Sequence, residues 1–197
     1  MAEGRASRWN VANAITALRI VVVPAFAAAL LWDGGSNDRL RLVALAIFVL
    51  AAATDRLDGW LARRYELITD LGKLLDPIAD KLLIGAALVC LSLLDDLPWW
   101  VTIVIGVREI GITVMRFFLL RYVVLPASRG GKLKTVLQSV AITLFLLPLH
   151  HLPAFVTVLA WTVLIAAVVV TVVTGLDYVR TAVRVRRAAA LPRTGGR

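Results

Sequence analysis

Six long apolar segments, separated by short polar stretches, make up most of this 197-residue chain. Each is about long enough to cross a hydrocarbon layer of roughly 30 Å as a tilted helix. The chain is 60% hydrophobic and 18% charged, which is too apolar for an ordinary soluble domain. The sequence therefore predicts an all-α integral membrane protein with six transmembrane helices. They are expected within residues 14–32, 40–58, 78–94, 98–121, 135–150 and 153–176.

The distribution of positive charge predicts the orientation of these helices. Six crossings place both termini on one side, and Lys and Arg are enriched on the cytoplasmic side of a membrane. Basic residues concentrate near the amino terminus, in the 59–75 and 121–135 connections and in the carboxyl-terminal tail. We therefore expect cytoplasmic termini. The net charge of +9 is spread over separate connections without interleaved aromatic residues, so it does not indicate nucleic-acid binding.

The other three connections have a different composition. They contain acidic and histidine residues: Asp33, Asp38, Asp95, Asp96, His150 and His151. Only Arg39 and Arg41 add positive charge on that side. These three connections are therefore expected outside the cytoplasm.

The residues most suggestive of chemistry lie between positions 55 and 80. Asp55 and Asp58 are three positions apart, and Asp76 and Asp80 are four apart. Each pair would share a helix face at a spacing of about 5–6 Å. Carboxylates that converge repel each other unless they are protonated, paired with cations or bound to metal. Oxygen ligands without nearby His or Cys favour Mg²⁺ or Mn²⁺, and Mg²⁺ in turn suggests phosphate chemistry.

These aspartates are expected at the cytoplasmic ends of the second and third helices. The second helix should run through Asp55 and Asp58. The third should begin around Pro77, because Pro is favoured in the first helical turn, which would place Asp76 and Asp80 in or beside that turn. Ionisable groups at the membrane face are costly unless they line a polar cavity, so an active site is expected there. The alternative is a solvated charge lattice with neighbouring basic residues.

The same segment resembles the signature of the CDP-alcohol phosphotransferase family, D-x2-D-G-x2-A-R-x8-G-x3-D-x3-D. Every fixed position is matched, by Asp55, Asp58, Gly59, Ala62, Arg63, Gly72, Asp76 and Asp80. The resemblance implies a six-helix fold, usually homodimeric, that transfers the phosphatidyl group of a CDP-linked lipid to an alcohol and releases CMP. It divides the chain into an interfacial segment (1–12), a six-helix domain (13–178) and a basic tail (179–197).

The resemblance also implies roles for individual residues. Asp55, Asp58 and Asp76 would hold two divalent ions, Mg²⁺ or Mn²⁺ as a substitute. Asp80 would contact the second ion and act as the general base. Small and basic residues would line the CDP pocket, namely Gly59, Ala62, Arg63 and Gly72.

A second group of residues bears on the acceptor alcohol. Arg108, Glu109 and Arg116 interrupt an apolar segment, and residues 128–134 form a Gly-rich basic stretch. We expect that stretch to be a loop whose N–H and ammonium groups could bind a phosphate dianion. An internal Arg108–Glu109 ion pair and a simple positive-inside anchor are the alternatives.

These motifs, together with N-x2-T-x2-R at residues 13–19, resemble the bacterial phosphatidylglycerophosphate synthases within the family. The resemblance implies CDP-diacylglycerol as donor, sn-glycerol 3-phosphate as acceptor and a multi-pass protein of a bacterial cell membrane. It places three cations around the acceptor phosphate, Arg116, Lys132 and Lys134. A wider substrate cavity would include Asn13, Thr16, Arg19, Arg108, Ser128 and Arg129.

Two kinds of alternative function stay open. The same chemistry could use phosphatidylglycerol, giving cardiolipin, or inositol phosphate or serine; serine has no phosphate for the basic stretch to bind. A divalent-cation transporter is the alternative from another class. Transporter carboxylates, however, more naturally lie near the membrane midplane, between discontinuous helices.

Overall fold

The structure, a computed structural model, describes residues 11–64, 70–119 and 129–190, with side chains for 17–54, 78–79, 81–115 and 130–184. Within these ranges the chain is all helical, which confirms the predicted all-α class and the six helices. The helices are α1 (Val11–Leu31), α2 (Asp38–Arg64), α3 (Asp70–Leu93), α4 (Trp99–Leu119), α5 (Arg129–Leu146) and α6 (Ala154–Ala190). A 3₁₀ turn, Leu149–His151, lies between α5 and α6.

The turns between helices follow from local sequence. Gly34 and Gly35, in the turn after α1, have φ values of 69° and 75°, in the left-handed region that glycine adopts at little cost. Asn37 caps α2, since its Oδ1 accepts hydrogen bonds from the backbone N–H groups of Arg39 (3.0 Å) and Leu40 (3.4 Å). At the end of α3, Asp95 takes a φ of 58°. Short connections of this kind favour antiparallel neighbouring helices.

The hydrophobic core draws on all six helices. α1 packs on α2 and α3, and α6 packs on α4 and α5. Two aromatic contacts contribute: Phe26 lies 6.1 Å from Phe48 between ring centroids, and Phe145 meets Trp161 edge-on at 5.3 Å. The largest buried apolar side chains are Phe26, Leu30, Phe48, Leu91, Leu97, Val101, Ile105, Ile142, Leu146 and Leu164.

Three connections meet at one end of the bundle. Arg41 of α2 donates hydrogen bonds to Asp96 Oδ2 in the α3–α4 connection (2.6 Å) and to the Phe145 carbonyl of α5 (2.8 Å). Asp38 at the start of α2 contacts the α5–α6 connection through His151 (2.9 Å). The end of α2 and the starts of α3 and α5 therefore lie at the opposite end of the bundle.

Two predicted boundaries were wrong. α3 begins at Asp70 rather than around Pro77, so Asp76 and Asp80 lie well inside the helix. Residues 70–76 include three Leu and one Lys, which are strong helix formers and extend the helix upstream of the proline. The predicted basic loop over 128–134 is also wrong from Arg129 onward, because Arg129 starts α5. Ser128 lies outside the described residues.

The last helix is longer than its apolar segment. α6 continues to Ala190, well beyond residue 176. By length and composition, Ala154–Arg184 is the one stretch among the described residues that clearly qualifies as a membrane-crossing helix. Shorter apolar helical stretches occur at Ala17–Leu31 and Lys81–Leu93.

Candidate active site

The aspartate signature lies on the α2–α3 hairpin. Asp55 and Asp58 belong to the last ten residues of α2, and Asp76 and Asp80 to the first eleven of α3. Only five residues separate the two helices, so both segments lie at the same end of the bundle. The backbone also places Gly59, Ala62 and Arg63 on α2 and Gly72 on α3. The side chains of these eight residues are outside the described set, so their convergence stays a prediction.

A cluster of charged side chains lies at the same end, on α4, α5 and α6. Glu109 Oε1 accepts hydrogen bonds from Arg108 Nη1 (3.1 Å) and from Lys134 Nζ. Arg108 Nη2 donates to Thr174 Oγ1 of α6 (3.1 Å). We call Arg108, Glu109, Lys134 and Thr174 the Glu109 cluster.

Burial strengthens the interactions in the Glu109 cluster. The side chains of Lys134, Arg108 and Glu109 are only 6%, 12% and 19% exposed. Charges attract more strongly in such a low-dielectric environment, and each needs its partners because desolvation is costly. The cluster contains two cations and one carboxylate, so it is electrostatically suited to an anionic ligand.

Two glycines allow the cluster to form. A Cβ atom at Gly130 would lie 2.7 Å from Thr174 Cγ2, and one at Gly175 would lie 3.1 Å from Arg108 Cγ. Glycine at both positions therefore lets α5 and the Arg108 side chain approach α6 closely. Gly130 looked like a loop residue in the sequence, but the structure gives it a packing role within α5.

Further polar contacts extend from the cluster. Gln138, one turn beyond Lys134, donates to Thr171 Oγ1 (3.1 Å), and both side chains are buried. Lys81 Nζ of α3 donates to Thr113 Oγ1 of α4, whose hydroxyl in turn donates to the Glu109 carbonyl (2.7 Å). Lys81 directly follows Asp80, so these contacts link the aspartate helix to the helix that carries Glu109.

The sequence-predicted acceptor residues do not all lie together. Arg108 and Lys134 meet at Glu109, and the Arg108–Glu109 ion pair offered as an alternative is present. Lys132 is exposed whereas Lys134 is buried, because residues two apart on a helix face different directions. Arg19 is buried in α1. Asn13, Thr16, Arg116 and Arg129 are described by their helical backbone alone.

Three residues of these contacts were not identified from the sequence: Gln138, Thr171 and Thr174. The only feature of the sequence that could have identified them is that they are polar residues within apolar helical segments. Thr171 and Thr174 are three apart, and Gln138 follows Lys134 by four, so each pair shares a helix face.

Comparison with known proteins identifies the class. Residues 9–173 match the CDP-alcohol phosphatidyltransferase family. The chain belongs to that family, which confirms the resemblance of its aspartate signature. It is therefore a transferase, and the alternative of a cation transporter is not supported.

Individual relatives are more specific. The chain is 54% identical over 184 residues to a Mycobacterium tuberculosis protein named "Probable phosphatidylglycerophosphate synthase", covering 92% of this chain and 85% of the relative. It is 38% identical to the CDP-diacylglycerol–glycerol-3-phosphate 3-phosphatidyltransferase of Bacillus subtilis, covering 86% and 93%. The protein of the same name from Rickettsia felis is 35% identical, again covering 86% and 93%.

Proposed function

We propose that this chain transfers the phosphatidyl group of CDP-diacylglycerol to sn-glycerol 3-phosphate, giving phosphatidylglycerophosphate and CMP. The observation that carries the proposal is a juxtaposition at one end of the bundle. The complete family signature lies on α2 and α3, and two cations, Lys134 (buried) and Arg108 (12% exposed), lie on α5 and α4. The printed names of the relatives in M. tuberculosis, B. subtilis and R. felis support the same substrates.

The donor set fits a hard divalent metal. Asp55, Asp58, Asp76 and Asp80 provide oxygen ligands only, which suits Mg²⁺ or Mn²⁺. We assign Asp55, Asp58 and Asp76 to two ions and place Asp80 beside the second. When bound, the ions would neutralise pyrophosphate charge and stabilise the phosphoryl group in transit. Gly59, Ala62, Arg63 and Gly72 are assigned to the CDP moiety.

Asp80 is assigned as the general base. It accepts the proton of the attacking glycerol 3-phosphate hydroxyl, whose oxygen forms a bond to the phosphatidyl phosphorus. The bond between that phosphorus and the CMP oxygen breaks, and its electron pair leaves with CMP. An aspartate is a weak base, so its contribution depends on being held within hydrogen-bonding distance of the hydroxyl.

The Glu109 cluster is assigned to the acceptor phosphate. Arg108 and Lys134 carry two positive charges beside the one negative charge of Glu109, and the buried Arg108 Nε has no hydrogen-bond partner among the described residues. A phosphate oxygen could accept from that group and form charge-assisted hydrogen bonds, which are the stronger kind. Arg116 and Lys132 stay assigned to the same phosphate, and Asn13, Thr16, Arg19, Ser128 and Arg129 to the wider cavity.

We place the protein in a bacterial cell membrane, with six crossings, cytoplasmic termini and the site at the cytoplasmic face. Large apolar side chains on the outer surface support this placement, among them Val107 (67% exposed), Ile110 (67%) and Phe155 (69%). Large exposed apolar side chains of this kind suit lipid rather than water. By analogy with the family, the working unit is a homodimer.

The proposal is tested by incorporation of radiolabelled glycerol 3-phosphate into lipid. Purified protein in detergent is given CDP-diacylglycerol and Mg²⁺, and the organic phase is counted and its lipid identified. Label in phosphatidylglycerophosphate, lost in Asp80→Asn but retained in the matched control Asp95→Asn, would support the proposal. Folded wild-type protein that leaves all label in the aqueous phase would contradict it.

A further inference from the structure

A second group of metal-ligating side chains lies at the end of the bundle opposite the aspartates. Asp38 is the first residue of α2, and His150 and His151 lie in the 3₁₀ turn between α5 and α6. Asp38 and Asp58 are twenty residues apart on one helix, which corresponds to about 30 Å. The group is therefore separate from the proposed catalytic site.

The three side chains converge on one point. His151 Nε2 lies 2.9 Å from Asp38 Oδ2, and His150 Nε2 lies 3.5 Å from Asp38 Oδ1. One ligand atom from each residue lies within 4.8 Å of the others. Ligands of a tetrahedral zinc ion, at about 2.0–2.1 Å from the metal, are separated by roughly 3.3 Å, so small side-chain rotations would complete the geometry.

The backbone holds these ligands in place. Asn37 caps the helix that begins with Asp38. The turn carrying the histidines is closed by hydrogen bonds from His151 N to the Pro148 carbonyl (3.0 Å) and from Leu152 N to the Leu149 carbonyl (3.1 Å). A pre-formed arrangement lowers the entropic cost of gathering ligands around an ion.

One oxygen of the Asp38 carboxylate is available to bind a cation. Asp38 Oδ1 is buried and accepts no hydrogen bond from the described residues, and His150 Nε2 approaches it only to 3.5 Å. A buried carboxylate oxygen without a hydrogen bond is costly, and a cation would satisfy it. The two imidazoles are 61% and 64% exposed, so an ion from solution can reach them.

We propose that Asp38, His150 and His151 bind a divalent transition-metal ion, with Zn²⁺ as the best match. Two imidazole nitrogens and one carboxylate oxygen are typical ligands of zinc and, among related ions, of copper and nickel. A water molecule would take the fourth position. The bound ion would fasten the start of α2 to the α5–α6 connection. This proposal does not depend on the proposed reaction.

The chain contains only two histidines, His150 and His151, so any imidazole bound to a metal must come from the proposed site. Protein without an affinity tag is stripped with chelator and kept in excess Mg²⁺, which occupies the aspartate site. Cu²⁺ is then added as a spectroscopic probe. Electron paramagnetic resonance should show coordination by two imidazole nitrogens at one ion per chain. A spectrum with one imidazole or none would overturn the proposal without the need for any variant.

Zn²⁺ titration calorimetry provides the second measurement. Wild-type protein should bind one Zn²⁺, and a paired His150→Ala/His151→Ala variant should bind it at least about tenfold more weakly. Asp33→Asn, an exposed acid five residues before Asp38, should leave the affinity unchanged. Transfer activity with Mg²⁺ should be the same in all three proteins. Equal Zn²⁺ affinity in the paired variant and wild type would overturn the assignment. The contact between Asp38 and His151 would then be a hydrogen bond without a metal-binding role.

Discussion

Lys134 on α5 donates a hydrogen bond to Oε1 of Glu109 on α4, although the two residues are 25 positions apart in sequence. Arg108 donates to the same oxygen, and its other terminal nitrogen reaches Thr174 on α6. Glu109 thus joins α4 to α5, and Arg108 joins α4 to α6. The proposed reaction assigns these two cations to the acceptor phosphate.

Replacing Lys134 tests its assignment to the acceptor phosphate. Lys134→Ala should raise the KM for glycerol 3-phosphate roughly 10–100-fold, as expected for loss of a hydrogen bond between charged groups. The KM for CDP-diacylglycerol should change much less. Initial rates of CMP release at varied concentrations of each substrate provide the measurement. Arg39→Ala, which removes an exposed cation at the opposite end of the bundle, is the control and should leave both constants unchanged. An equal rise in both constants for Lys134→Ala would remove that lysine from the acceptor site.

Replacing Glu109 tests the electrostatics of the cluster. Glu109→Gln leaves the charges of Arg108 and Lys134 close together and without their carboxylate. We expect a loss of stability of about 3 kcal/mol, the usual cost of breaking a buried ion pair. Thermal unfolding in detergent would show it as a lower Tm. Asp95→Asn, an exposed acid in a turn, should change Tm little, and an unchanged Tm in Glu109→Gln would mean that the ion pairs contribute nothing to stability.

Gly130 offers a test of helix packing. Gly130→Ala should lower stability by about 1–3 kcal/mol, since its Cβ would overlap the Thr174 methyl group. Gly111→Ala is the matched control: its Cβ meets no atom within 4 Å, so the gain in helix propensity should leave Tm equal or raised. Adding Thr174→Ser, which removes the methyl group and keeps the hydroxyl, should restore part of the Tm lost in Gly130→Ala. No restoration would place the strain elsewhere.

The proposed role of Asp80 as general base can be tested separately from metal binding by Asp55, Asp58 and Asp76. Asp80→Asn should abolish transfer and leave binding of CDP-diacylglycerol measurable, because three carboxylates for the ions stay in place. Binding can be followed by tryptophan fluorescence or calorimetry in the presence of Mg²⁺. Normal turnover by Asp80→Asn would exclude it as the essential base.

Much of the architecture could be predicted from the sequence because hydrophobic segments of this length have few alternatives to helices. The boundaries near the site were less predictable. Pro77 suggested a helix start, but helix-forming residues before it extend α3 to Asp70. Gly130 and its neighbour suggested a loop, whereas close packing against Thr174 explains the glycine at 130.

The candidate site also has a part that the sequence predicts and a part that it does not. The aspartate signature is local in sequence and could be recognised from spacing alone. The contacts of Glu109 with Lys134 and of Arg108 with Thr174 join distant helices, and Arg108 and Thr174 are 66 residues apart. No local pattern specifies such a pair, because its partners are set by how the helices pack. The Asp38–His151 contact could not be predicted from the sequence either, because it too depends on how the helices pack.

The most direct test of the central claim is CMP release by purified protein supplied with CDP-diacylglycerol and Mg²⁺, compared across acceptors. Glycerol 3-phosphate, inositol phosphate, serine and phosphatidylglycerol are each added alone at equal concentration. We predict release that depends on glycerol 3-phosphate and is near background with the other three. Release that depends on a different acceptor, or none from folded protein, would contradict the proposed reaction.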